Sequence, residues 1–473
     1  LMNNKNLINL GSRVFTDKDQ VNFAKFSNDC NPIHLDKKYA RKTLPGTTIV
    51  HGMHALLWSM ELFLSKYQFI YSEYKVYFHK YIKENSIVNL FWDSKLCKLI
   101  IKNTNDINLV TISCINKSSV TELNRNACKI NYESKSGEPA KIEIQRINVG
   151  DTSSIFYNGK KDVINKILPL LSKSLNHEII KEIALQSYIV GMKVPGLNSL
   201  LASINFIISF LNKQQTITIK HVNKYFNSVK SEYLGKNITS ILETFFRPEP
   251  VKTISCAEIL NLNFKLPNLK NKSVFVVGGS RGLGAITCKL LACAGARVTL
   301  SYNYGREEAL AVADDIISIG GLCKVIQFTV SPSQTYKVLD DKYEHVYYFA
   351  TNKIFHDDIR NSDKNIYDSF YEIYVNCFKS LAEYLIKNSQ TKKIFYPSSI
   401  AIDKPIDTLK DYIEAKKEGE QVCMLLQKKF LIKVICPRLN RILTDQTNTI
   451  VPVKFDNAVD TMLVSIKQMS CID

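Results

Sequence analysis

Three groups of residues in this chain have the types and spacing to do chemistry. The first is Asn28-Asp29-Cys30-Asn31-Pro32-Ile33-His34-Leu35-Asp36, followed by Val50-His51-Gly52-Met53. A carboxylate and an imidazole held apart by a stiffening proline can serve as acid and base. The second is Gly278-Gly279-Ser280-Arg281-Gly282-Leu283-Gly284, set between the apolar run 273–277 and the helix-like stretch 285–291. Strand, glycine turn and helix start cradle a pyrophosphate, because glycine allows close approach and the first helical N–H groups lack internal partners. The third is Ser399 with Tyr412 and Lys416. A carbonyl that accepts hydride needs a proton on oxygen, and a phenol of pKa about 10 gives one up slowly at neutral pH. A lysine one helical turn on lies on the same face and favours the ionised phenol. Taken alone, a Tyr-x-x-x-Lys pair marks no more than an amphipathic helix.

Taken in order, the glycine turn, Ser399, Tyr412 and Lys416 resemble the short-chain dehydrogenase/reductase family over residues 266–473, with Val277 in place of the usual threonine. The resemblance implies a Rossmann-type, doubly wound parallel sheet. It implies that Tyr412 is the acid/base, that Lys416 tunes it and holds a ribose, and that Ser399 holds the carbonyl oxygen. Asn376, in Tyr374-Val375-Asn376, would anchor a proton-relay water. The dinucleotide would be held by Gly278, Ser280, Arg281, Gly282, Leu283, Gly284, Asn303 and Arg306, together with Tyr412 and Lys416. The second strand, 297–303, ends without the acidic residue that binds a ribose 2′-hydroxyl, whereas Arg281 and Arg306 could meet a 2′-phosphate. The expected cofactor is therefore NADP. The sequence departs from the family at Tyr348-Phe349-Ala350-Thr351 (usually Asn-Asn-Ala-Gly), at Thr329-Val330, where an acidic residue is missing, and at Pro437-Arg438 (usually Pro-Gly). In these it is similar to divergent ketoreductases of polyketide-type enzymes.

The N-terminal group resembles the MaoC-like R-specific enoyl-CoA hydratases over about residues 10–135. That resemblance implies a hot-dog fold, an antiparallel sheet around one long apolar helix, here residues 53–64. Adding water across a double bond conjugated to a thioester needs a base for the water, an acid for C2 and donors for the enolate-like oxygen. Asp29 and His34 match the family's dyad, and the Gly52 N–H would serve the thioester oxygen at a helix start. Asn28 stands where the family usually has glycine, and Tyr77-Phe78-His79-Lys80-Tyr81 lacks the family's proline.

Residues 136–265 carry no catalytic set. Val190-Gly191-Met192 echoes His51-Gly52-Met53 without its histidine, and 216–219 and 240–246 have strand-like patterns. The expectation is a degenerate second hot-dog, the alternative an unrelated helical linker domain. The division expected is thus 1–135, 136–265 and 266–473.

The twelve cysteines are scattered, with no Cys-x-x-Cys pair and no histidine cluster, which argues against disulfides and zinc. The longest apolar run, 199–211, is too short and polar for a bilayer, and the N-terminal residues show no signal-peptide core. A cytoplasmic protein is expected, with no membrane partner and no metal. A net charge of +18 without a nucleic-acid-binding motif speaks for scattered lysines, or for attraction of phosphorylated cofactors and acidic carriers, rather than for nucleic acid.

Both resemblances together imply an α/β plus α+β multidomain enzyme, expected as a homo-oligomer, that acts on acyl-CoA or acyl-carrier-protein thioesters. It would reduce a 3-oxoacyl thioester and reversibly dehydrate the (R)-3-hydroxy product to the trans-2-enoyl form. The alternative is a ketoreductase for a polyketide-like or sugar substrate, with the hot-dog as a non-catalytic binding or dimerisation module.

Overall fold

The computed structural model describes residues 7–125, 127, 137–156, 163–211, 214–262, 264–331, 336–339, 341–355, 364–450 and 452–471. The chain forms two compact units, Leu1–Pro250 with Thr449–Val453, and Val251–Asn448 with Lys454–Asp473.

The first unit is built on one ten-stranded sheet. Its strands are β1 (Leu7–Val14), β2 (Ile70–Phe78), β3 (Ile87–Asp93), β4 (Lys98–Asn103), β5 (Asn108–Ser118), β6 (Thr152–Ser154), β7 (Ser199–Ile208), β8 (Thr216–Asn223), β9 (Ser228–Leu234) and β10 (Ile238–Phe246). The order β1-β3-β4-β5-β2-β7-β10-β9-β8-β6 is one five-strand pattern used twice, joined where β2 runs antiparallel to β7. Each half places a buried helix between its first and second strand, Gly52–Tyr67 in one and His177–Tyr188 in the other. Gly52–Tyr67 is apolar on nearly every side. It is buried without a break from Met53 to Glu61, and again at Phe63 and Leu64, so it can only be a core helix; it stops at Gln68 in the left-handed conformation. His177–Tyr188 starts at Asn176, whose side chain accepts from the Glu178 N–H. Leu56, Leu57, Ile180 and Ile183 share one core with inward residues such as Val88, Leu90 and Trp92 of β3.

One expectation is corrected here. Val190-Gly191-Met192 follows the second helix, whereas His51-Gly52-Met53 begins the first, so the echo does not mark equivalent positions. The apolar face of the second helix comes instead from Ile179, Ile180, Ile183 and Ala184, and the apolar stretch after Gly196 is strand β7. The division at 135/136 falls within this single sheet-bearing unit.

The second unit holds β11 (Ser273–Val277), β12 (Arg297–Tyr302), β13 (Leu322–Gln327), β14 (His345–Tyr348), β15 (Lys393–Phe395), β16 (Ser398–Ser399), β17 (Lys433–Ile435) and β18 (Arg438–Leu439). Six of them form a parallel sheet in the order β13-β12-β11-β14-β15-β17. Such an order reverses between the first and fourth strands, and the crevice at their carboxyl ends is the usual place for a nucleotide. Alternation along β11 sends Val274 and Val276 toward Leu290 and Met462, and Phe275 and Val277 toward Phe378 and Tyr412, so helices pack against both faces. The expected boundary at 265/266 lies inside this unit, because Cys256 and Ile259 of the Cys256–Asn261 helix belong to the same core as Leu290. No helix among the described residues is long and apolar enough to cross a membrane.

Candidate active sites

In the first unit the helix Asp17–Ser27 ends at Asn28, which adopts φ 59° and ψ 18°. Asparagine tolerates this left-handed conformation, so it supports the turn that a glycine would make there. The turn buries Asp29. Its Oδ1 accepts from the Asn31 N–H at 3.2 Å, and its Oδ2 from the Ser187 hydroxyl at 2.7 Å. Asn31 caps the short helix Pro32–Leu35, and its amide donates to the carbonyls of Gly191, Gly196 and Leu197. His34 Nδ1 lies 2.8 Å from the Ile49 carbonyl, which can only accept. A neutral His34 therefore keeps its proton on Nδ1 and leaves Nε2 bare, 4.0 Å from Asp29 Oδ2. That gap is too long for a direct hydrogen bond and suits two groups that work on one water.

Burial pushes the Asp29 carboxyl up, while His34, Ser187 and the Asn31 N–H hold it back. Burial pushes His34 down, against the pull of Asp29 and the Ile49 carbonyl. The Asp29 shift runs toward the range in which a carboxyl can give and take a proton near neutrality, while that of His34 favours the neutral ring, whose bare Nε2 can accept one. His51 stacks on His34 with ring centres 3.8 Å apart. Its donor atoms lie with those of Asp29 and His34 inside a 4.8 Å cluster that could hold a metal ion. Its ring nitrogens lie 3.1 Å from the Asp29 carbonyl and 2.8 Å from the Gln20 side-chain amide, so both have partners in the structure. Gly52 opens the long helix, where the first N–H groups have no helical acceptor, and a Cβ there would strike the Phe78 ring at 2.8 Å.

In the second unit, Gly278 has φ 78° and Gly282 φ 56°, values that favour glycine, and a Cβ on Gly284 would lie 2.1 Å from the Gly278 carbonyl. The turn is tied to the end of β12: the Gly278 N–H donates to the Ser301 hydroxyl and the Gly279 N–H to the Ser301 carbonyl. Arg281 stands at the N-cap of the Gly282–Cys293 helix, between Ser280 and Leu283, and makes no side-chain cap. Asn303 is exposed beyond β12 and accepts from the Thr329 hydroxyl, while Arg306 is exposed at the start of the next helix.

Tyr412 and Lys416 sit on the helix Lys410–Phe430, both buried. Burial pushes Tyr412 up to about 12, and a hydrogen bond with Ser399 pulls it down. Lys416 departs from the expected arrangement. Its Nζ donates to the Pro397 carbonyl at 2.7 Å and lies 3.9 Å from the centre of the Tyr374 ring but 5.9 Å from that of Tyr412. Burial pushes Lys416 down to about 7, so as it stands it does not lower Tyr412. Asn376 is exposed and donates to Glu372 at 2.7 Å, and it makes no hydrogen bond to Ser399, Tyr412 or Lys416. The Arg438 that replaces the family's glycine binds Glu420 of the same helix through Nε at 2.9 Å and Nη2 at 2.6 Å, and also Asp403.

Sequence reading missed Ser187 and Ser301, the contact of Gly191 with Asp29, and the pairing of Arg438 with Glu420. Gly191 and Arg438 carried a signal, as a glycine in an apolar run and as a departure from the family's Pro-Gly; Ser187 and Ser301 are ordinary polar residues whose partners are distant in sequence.

A family profile described as MaoC like domain matches residues 8–91. A stretch of 61 residues, 13% of this chain, is 41% identical to the short-chain dehydrogenase/reductase FrzI of Cladobotryum sp. This chain joins a MaoC-like domain to a short-chain dehydrogenase/reductase-like one. The MaoC-like domain contributes Asp29, His34, His51 and Gly52; Ser187 and Gly191 lie outside the matched segment. The match to FrzI spans 24% of that relative's length. Among solved structures, a short-chain dehydrogenase from Burkholderia cenocepacia J2315, in complex with NADP, is 19% identical at a TM-score of 0.38, over 42% of this chain and 90% of its own. L-sorbose reductase from Gluconobacter frateurii, complexed with NADPH and L-sorbose, is 16% identical at a TM-score of 0.39, over 44% of this chain and 92% of its own.

Proposed function

We propose that the protein is a bifunctional acyl-thioester enzyme. The short-chain dehydrogenase/reductase-like unit reduces a 3-oxoacyl thioester with NADPH to the (R)-3-hydroxyacyl form. The MaoC-like unit, whose two halves we read as an active and a degenerate hot-dog, reversibly dehydrates that product to the trans-2-enoyl thioester. The observation that carries the hydratase reading is the buried Asp29–His34 pair, 4.0 Å apart and each fixed by its own hydrogen bonds.

In hydration, His34 Nε2 and Asp29 Oδ2 hold one water between them and take its proton as oxygen adds at C3. C2 then receives a proton from the same pair. The Gly52 N–H, at the positive end of the long helix, meets the thioester oxygen as it gains charge.

The glycine turn fits a dinucleotide, because side chains on Gly278 and Gly284 would press into the surrounding backbone and fill the cradle. Gly278, Ser280, Gly282, Leu283 and Gly284 would line the phosphates, with Arg281, Asn303 and Arg306 toward the adenosine ribose. NADPH, when bound, supplies the hydride. Ser399 holds the substrate's carbonyl oxygen beside Tyr412, and Tyr412 gives that oxygen its proton. Ribose hydroxyls would compete with the Pro397 carbonyl for Lys416, whose amine would then come to act on Tyr412 as the family resemblance implies.

The test is to assay crotonyl-CoA hydration and acetoacetyl-CoA-dependent NADPH oxidation in the wild type, in Asp29→Asn and in Tyr412→Phe. Each variant should lose one activity and keep the other. Absence of hydration by the wild type on short, medium and carrier-bound enoyl thioesters would leave the MaoC-like unit a binding module. Loss of reduction in Asp29→Asn would show that the two sites are coupled.

A further inference from the structure

Arg247 follows β10 directly and is only 2% exposed. Its Nη2 donates to the Tyr39 hydroxyl at 2.9 Å and to the Leu197 carbonyl at 2.5 Å. Its Nε and Nη1 are buried and meet no acceptor. Among the described residues no carboxylate pairs with it: its other neighbour is the Tyr39 ring, 5.3 Å from the guanidinium carbon. A guanidinium withdrawn from water without a counter-charge is strongly unfavourable, and a buried water could satisfy its hydrogen bonds but not its charge.

The position of this cation ties it to the dyad. The Leu197 carbonyl that accepts from Arg247 also accepts from the Asn31 amide, and Asn31 lies between Asp29 and His34 in the chain. The positive charge of Arg247 is felt at His34. Arg247 and the loop that carries the dyad are thus held on one carbonyl, which makes the guanidinium a candidate contact for a ligand that reaches His34. The enolate-like oxygen of the reaction does not answer the need, since its charge is transient while Arg247 is charged throughout. The carrier's phosphates do not answer it either, because Arg247 is only 2% exposed and phosphates are costly to withdraw from water.

We propose that Arg247 anchors a carboxylate on the acyl group of the thioester bound at Asp29 and His34, so that the substrate is the monothioester of a short unsaturated dicarboxylic acid. This deepens the hydratase reading and rests on it for the site. The planar guanidinium, with free N–H groups and no competing anion, is suited to a carboxylate, and a neutral acyl chain would leave it uncompensated.

The experiment compares binding of glutaryl-CoA and butyryl-CoA to the full chain by isothermal titration, with free CoA as a control. Both acyl groups are saturated and cannot be hydrated. In the wild type, glutaryl-CoA should bind at least about tenfold more tightly than butyryl-CoA. Arg247→Met should weaken glutaryl-CoA about 30-fold and butyryl-CoA less than about threefold, the scale of one charge-assisted hydrogen bond. Arg247→Lys, which keeps the charge, should fall between. Equal wild-type affinities for the two acyl thioesters overturn the inference, and this arm needs no folded variant. An equal loss for both thioesters in Arg247→Met, or a matching loss for free CoA, also overturns it. Hydration of crotonyl-CoA, measured alongside, separates the two ideas: hydration without a glutaryl preference sinks the Arg247 anchor alone. An Arg247-dependent glutaryl preference without hydration of any enoyl thioester keeps the anchor and sinks the hydratase reading.

Discussion

The Ser187 hydroxyl donates to Asp29 Oδ2 at 2.7 Å, from a residue 158 positions further along the chain. The bond crosses from the second half of the repeated sheet to the first. Gly191, one short turn beyond Ser187, completes the contact: a Cβ there would lie 2.2 Å from Asp29 Oδ1. The half that lacks a dyad thus forms one wall around the carboxylate of the other half.

Gly191→Ala should therefore displace the Asp29 carboxylate and cut enoyl-CoA hydration by about 100-fold, the scale of a mispositioned acid/base group. NADPH-dependent reduction, measured on the same preparation, should persist because Tyr412 lies in the other compact unit. Wild-type hydration in this variant would show that the backbone absorbs the methyl group.

Ser187→Ala bears on pH. The donated hydrogen bond favours the ionised Asp29, while burial favours the neutral acid. Without Ser187 the carboxyl is pushed further up, so protonation sets in at higher pH and the acidic limb of kcat/KM for hydration moves upward. The expected shift is about one pH unit, comparable with one hydrogen bond to a charged group. A limb that moves to lower pH would contradict the role given to the Asp29 carboxylate.

Tyr412→Phe should lower acetoacetyl-CoA reduction by about 100-fold or more, since it removes the proton donor. NADPH binding, followed by cofactor fluorescence, should change little, because the glycine turn is untouched. Turnover above about a tenth of the wild type would remove Tyr412 from that role.

Cofactor choice depends on the ribose end of the site. The wild type should have a higher kcat/KM with NADPH than with NADH, and Arg281→Ala should lose most of that preference, by about tenfold or more, as expected for loss of a charged contact to phosphate. A wild-type preference for NADH would overturn the assignment.

Lys416 should leave a mark on stability. Burial lowers it from 10.5 to about 7. Between those values the unfolded chain binds a proton that the folded chain does not, so this group makes stability rise with pH across that window. Below about pH 7 the folded protein must bury the charge. Lys416→Met should accordingly melt higher than the cofactor-free wild type at pH 6.5, with the difference shrinking toward pH 10. A difference that grows with pH would show that Lys416 is not depressed in the folded state.

The parts of each site legible in the sequence are those in which a short spacing already sets the geometry. Tyr412 and Lys416 lie one helical turn apart, Gly278, Gly282 and Gly284 occupy one turn, and Asp29 and His34 are joined by a loop that Pro32 stiffens. Asn376 shows a first limit of spacing, since Glu372–Asn376 winds as a wide turn closed by the Cys377 N–H on the Glu372 carbonyl, and the Asn376 amide bonds Glu372. Lys416 shows a second limit, because spacing puts it on the face of Tyr412 while a carbonyl from a separate segment, Pro397, takes its amine.

Local residue patterns are enough to specify the apolar strand Ser273–Val277, the core helix Gly52–Tyr67, the glycine turn and the short-range acid/base pairs. Each follows from side-chain periodicity or from backbone freedom within a few residues. The pairing of β2 with β7 arises only in the folded chain, and with it the packing of Ser187 and Gly191 against Asp29 and the Leu197 carbonyl shared by Asn31 and Arg247. Those contacts depend on the register of two strands and the packing of two helices. No local pattern encodes them, because polar residues of their kind are as common on a solvated surface as in a buried site.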